Sequence, residues 1–179
     1  MRRVISVAVL VALAALCAAA IPGHAANEIL LRRSAGTVGY KHDLGAPFIT
    51  VTGVQAVADD AYAITQASSV GVVVFPDSSL VTLGASTTIR VGAFRLAQNG
   101  NGSTIQIPSG GGELRLEIRH PQGQRSNYQF STSIMNLAVR GTIALLADAP
   151  TGDTLTCLDC GANDVVVTAG GRDYALLSG

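Results

Sequence analysis

Cys157 and Cys160 are the residues in this sequence whose type and spacing most invite chemistry. The string Cys157-Leu158-Asp159-Cys160 suits a close disulfide, thiol exchange, or half of a zinc site. No second cysteine pair is present to complete a four-thiolate site, since the only other cysteine is Cys17. Redox enzymes of the thioredoxin type set such a pair between a strand and a helix, and that pattern does not surround these two residues. The leading reading is a structural or passively oxidised disulfide. Two reduced, independently packed cysteines form the second reading, and redox catalysis or metal binding the third. A bridge that closes so short a loop restricts the unfolded chain little, so its contribution to stability is modest.

The remaining candidates have simpler readings. Asp59 and Asp60 are adjacent carboxylates, but consecutive side chains of a strand point to opposite faces, and the pair reads as a solvated turn. Asp148, Asp153, Asp159 and Asp164 invite calcium, yet their spacing lacks the compact oxygen pattern of a calcium loop, which favours turn capping and solvation. His120 sits in the loop His120-Pro121-Gln122 with no nearby serine and carboxylate to make a nucleophilic site. Gly110-Gly111-Gly112 is followed by Glu113 rather than Lys-Ser/Thr, which excludes a phosphate loop. Asn101-Gly102-Ser103 has the form of a glycosylation acceptor and reads better as a hairpin turn. No catalytic, cofactor-binding or metal-binding residue is assigned. The chain is read as a non-enzyme that needs no cofactor.

The elements that hold these residues begin after an export segment. Met1-Arg2-Arg3 precedes an apolar run over residues 4–20 and the small-residue exit Ile21-Pro22-Gly23-His24-Ala25. That order is the pattern of a secretory signal, with cleavage expected after Ala25. A retained anchor is the alternative, because the run is just long enough to span a bilayer. A lipidated Cys17 is disfavoured by the bulky Leu16 before it. Removing 25 of 179 residues leaves 154, enough for one domain with a sizeable core. The 12 basic residues then lose Arg2 and Arg3, leaving ten against 12 acidic ones. Arg90, Arg95, Arg115, Arg119, Arg125 and Arg140 are scattered along the chain, which disfavours a nucleic-acid partner. No later segment resembles a membrane span, so a periplasmic or secreted location is expected.

Residues 26–37 read as a leader or edge strand, and residues 38–179 as one β domain. Strands are expected at 48–52, 54–57, 62–65, 72–75, 80–83, 89–91 and 94–96, with an exposed turn or loop at residues 40–43 and turns at Pro76-Asp77 and at residues 84–86. Glu113-Leu114-Arg115-Leu116-Glu117-Ile118-Arg119 alternates most cleanly, with its apolar residues facing inward and its charges outward. A helix is conceivable over 134–139, but Arg140-Gly141-Thr142 favours a bend between extended pieces. Residues 155–161 and 164–168 read as a final pair of strands, and Gly170-Gly171 as the turn before residues 174–177. The pattern predicts an all-β fold of many short antiparallel strands, in a sandwich or a partly rolled sheet.

Residues 69–84, with their Phe75-Pro76-Asp77-Ser78-Ser79 turn, resemble the FecR domain family together with Thr87-Thr88-Ile89-Arg90-Val91 and Leu137-Ala138-Val139-Arg140-Gly141-Thr142. Residues 155–167 resemble that family's following strand-turn-strand unit, and the similarity spans residues 38–177. The family's usual turn is Asp-Gly-Ser, so Ser78 stands where glycine is expected. The resemblance implies a β-rich extracytoplasmic domain. In its best-known members that domain links an outer-membrane iron-siderophore receptor to an anti-sigma system. Direct iron binding is not implied. The signal-like N-terminus in place of a cytoplasmic regulatory half points to a stand-alone module that binds a protein or an envelope component. A thiol-disulfide-active protein using Cys157 and Cys160 is the alternative.

Overall fold

The computed structural model describes residues 28–95, 101–108, 112–119 and 126–177. The expected export segment, Cys17, Gly110, Gly111 and His120 lie outside the described residues. Within them every regular element is a strand. In chain order these are β1 (Ile29–Ala35), β2 (Val38–Lys41), β3 (Ile49–Val51), β4 (Val54–Val57), β5 (Tyr62–Thr65), β6 (Val70–Val74), β7 (Leu80–Leu83) and β8 (Thr88–Val91). They continue as β9 (Thr104–Gln106), β10 (Gly112–Ile118), β11 (Tyr128–Ser131), β12 (Met135–Val139), β13 (Thr142–Ala149), β14 (Gly152–Asp159), β15 (Val165–Ala169) and β16 (Arg172–Leu176).

Two sheets pack face to face. One has seven strands in the order β14-β13-β10-β7-β6-β1-β4, and the other nine in the order β16-β15-β12-β11-β9-β8-β5-β2-β3. The chain passes back and forth between the layers while advancing along both, so early strands lie at one end of the sandwich and late strands at the other. Pairing is antiparallel throughout except between β9 and β11, which run parallel because β10 is placed in the opposite sheet between them.

Alternation in the sequence decides which side chains form the filling. In β10, Leu114, Leu116 and Ile118 are buried while Glu113 and Arg115 are exposed, as the pattern predicts. Phe75, Leu83, Ile89, Ile105, Tyr128 and Phe130 are among the largest fully buried side chains and come from both layers. At roughly 25 cal/mol per Å² of apolar surface, each such side chain contributes on the order of 1.5–3 kcal/mol. The expected helix alternative at 134–139 is absent: β12 runs straight through it, and Leu137 and Val139 alternate into the core.

Several expectations need correction. The N-terminal strand β1 is not an edge, because it pairs with β6 on one side and β4 on the other. Tyr40 and Lys41 belong to β2 rather than to a loop. The final strands β14 and β15 do not pair: β14 bonds to β13 in one sheet, and β15 to β12 and β16 in the other. Both alternate well, but alternation names a strand and leaves its neighbour undefined. The expected strand at 94–96 is reduced, within the described residues, to one bridge between Arg95 and Gly102.

Candidate functional site

The turn between β6 and β7 is fastened to both layers of the sandwich. Asp77 accepts the backbone N–H of Ser79 at 2.9 Å, a local turn bond of the kind aspartate favours. The Tyr128 hydroxyl, from β11 in the other sheet, donates to both oxygens of the same carboxylate, at 2.9 and 3.0 Å. Phe75 meets the Tyr128 ring edge-on, with centroids 5.1 Å apart. Burial, with the neighbouring Asp77 charge, pushes the Tyr128 phenol well above its ordinary 10.0, so it stays protonated and donating. The buried Ser79 hydroxyl accepts from Arg119 N at 3.0 Å, which joins the turn to the end of β10. Ser78 has φ +66°, the left-handed conformation that glycine adopts without steric cost.

Cys157 and Cys160 are joined by a disulfide with Cα atoms 6.0 Å apart. The register between β13 and β14 shifts between Ile143 and Ala144, leaving Leu158 as the extra residue of a bulge, and the bridge spans this bulge. Cys160 is buried, its sulfur 2.7 Å from the Thr142 hydroxyl, which also donates to the Asp159 carbonyl. Gly141, just before Thr142, has φ +137°, which explains the small residue in Arg140-Gly141-Thr142. A groove of about 500 Å³ opens beside the bridge, lined by Glu117, Arg119, Thr142, Asp159 and Asp164. Asp164 caps its own turn by accepting the Gly161 N–H at 2.8 Å.

The four candidate aspartates separate into two places. Asp159 and Asp164 line the groove, whereas Asp148 and Asp153 face each other across the β13–β14 hairpin. Thr132 donates to Asp153 and so ties the nine-stranded sheet to this hairpin. Desolvation is the main cause raising the Asp153 carboxyl above its ordinary 3.8; the Thr132 bond opposes it, and the adjacent Asp148 adds to the rise. Among the described residues no group of three or more histidine, cysteine or acidic side chains converges as a metal set. Asp60 is a turn residue with φ +65°, paired to Arg90 at 3.3 Å. The sequence pointed to neither the Asp77–Tyr128 contact nor the Thr132–Asp153 contact, which depend on a register that no short motif encodes.

These features define an all-β sandwich with cross-layer polar ties and a disulfide at one end. No family model, curated protein or solved structure matches the chain.

Proposed function

We propose that this chain is a noncatalytic, extracytoplasmic FecR-like interaction module that acts in the periplasm or outside the cell. The FecR resemblance is supported by the left-handed backbone at Ser78, the geometry that a glycine in the family's Asp-Gly-Ser turn would supply. It is supported equally by the left-handed Gly141 within Arg140-Gly141-Thr142.

The observation that carries an interaction role is the edge strand β14. It has eight residues, pairs among the described residues only with β13, and presents Leu158 with 49% of its surface exposed. A long edge with free backbone donors and acceptors is a template for a strand from another protein.

Affinity capture from the native envelope with crosslinking tests this reading. A reproducible protein partner is expected, retained when both cysteines are changed to alanine and lost with Leu158→Lys, which places a charge on the edge. A partner that ignores Leu158→Lys, or none at all, removes the edge-binding role. The second reading, a thiol-disulfide-active protein, is favoured by the formed Cys157–Cys160 bridge and disfavoured by the burial of Cys160. Turnover of a disulfide substrate, lost in Cys157→Ala with the fold intact, would select it.

A further inference from the structure

The outer face of the nine-stranded sheet carries a transverse polar row. Successive registers place Tyr62 beside Arg90, Arg90 beside Gln106, Gln106 beside Ser131, Ser131 beside Asn136, and Asn136 beside Thr168. Their sequence neighbours Ala63, Ile89, Ile105, Phe130 and Leu137 are buried, so this row faces outward. With strands ~4.8 Å apart, the six side chains extend over roughly 24 Å. Lys41 continues the row at one end and Asp173 at the other.

The row lies in a trough. One depression, of about 310 Å³, is bounded by Thr104, Gln129, Asn136 and Thr168. A second, of about 370 Å³, is bounded by Tyr62, Arg90, Gln106 and Pro108. Ser131 lines both, so the two adjoin at that residue. Arg90 is held in place by Gln106 Oε1 at 3.1 Å and by Asp60 at 3.3 Å.

We propose that this trough binds an extended, uncharged carbohydrate chain. Hydroxyl and amide side chains both donate and accept hydrogen bonds, as sugar hydroxyls do, and here they recur at five of the six strands crossed by the row, Arg90 on β8 being the exception. The half-buried Tyr62 ring supplies an apolar surface for the C–H face of a sugar. Charge complementarity points the same way. The one cation within the row is already paired with Asp60, and the opposite charges of Lys41 and Asp173 stand at its two ends. A polyanion needs a concentration of cations that this face does not offer. A peptide strand docks at a sheet edge, whereas this trough crosses strands whose backbone groups are already paired.

The site lies on the sheet opposite β14, so it goes beyond the edge-binding role and is tested separately from it. The full chain is titrated calorimetrically with neutral hexasaccharides of β-1,4-glucose, α-1,4-glucose, β-1,4-mannose and β-1,4-N-acetylglucosamine, and with hexagalacturonate as the acidic control. At least one neutral hexasaccharide is expected to bind with an affinity insensitive to salt. Tyr62→Ala and Gln106→Ala should each weaken that binding about tenfold or more, with unchanged circular dichroism and Tm. Thr82→Ala, on the outer face of the other sheet, should leave it unchanged. The proposal is overturned if none of the neutral hexasaccharides binds, if hexagalacturonate alone binds, or if binding is unchanged in both trough variants.

Discussion

The Tyr128 phenol crosses from one layer of the sandwich to the turn of the other and meets both carboxylate oxygens of Asp77, at 2.9 and 3.0 Å. A buried phenol with a charged acceptor is costly to leave half-made. Tyr128→Phe removes the donor and keeps the ring against Phe75, and it should cost ~1.5–3 kcal/mol. Asp77→Ala should cost more, because it also leaves the Ser79 N–H without its acceptor. Urea denaturation of both variants checks the order. A Tyr128→Phe midpoint equal to that of the parent would show that the contact contributes nothing.

Ser78 occupies a left-handed conformation that costs an L-residue ~1–2 kcal/mol, partly offset by the ~0.5–1 kcal/mol of extra chain entropy that glycine loses on folding. Ser78→Gly should therefore stabilise the domain by up to about 1 kcal/mol. Ser78→Val should destabilise it, because a β-branched residue tolerates positive φ poorly. Thermal unfolding of the pair decides the matter, and a lower Tm for Ser78→Gly would sink the argument.

Asp153 has a folded-state pKa above its ordinary 3.8, so the folded chain prefers the protonated carboxyl. Its contribution to stability is fully present below pH 3.8 and is lost as pH rises through the raised folded value. Asp153→Asn keeps an oxygen to accept from Thr132 and removes the ionisation. The variant's Tm advantage over the parent should be larger at pH 7 than at pH 3. An advantage that does not change with pH would contradict this assignment.

The Cys157–Cys160 bridge closes a very short loop, and chain-entropy arguments limit its effect to about 2 kcal/mol. Peptide mapping without reductant should recover the crosslinked pair. The double alanine variant should fold, with a Tm only a few degrees lower. Recovery of both residues as free thiols from the native protein would remove the bridge from the account.

Much of the layer structure was legible because burial imposes period-two alternation, as β10 and β12 show. The turn at Asp77 was legible as well, since aspartate and serine reveal their local bonds through type and spacing. Neighbour relations were not. Strands β14 and β15 follow one another in sequence yet lie in different sheets, and nothing in their side-chain pattern distinguishes that from a hairpin. The Thr132–Asp153 tie was hidden for the same reason. It depends on how far β11, β12 and β14 have advanced along the sandwich, a property of the whole chain.

That steady advance has a bearing on how the molecule is made. Strand order in each sheet follows the sequence almost monotonically, from β3 and β4 at one end to β14 and β16 at the other. A chain that emerges N-terminus first would therefore find, as nearly every new strand appears, its docking partner already in place. The sandwich can be laid down course by course behind the moving chain, and its last-built end is the one that bears both β14 and the disulfide.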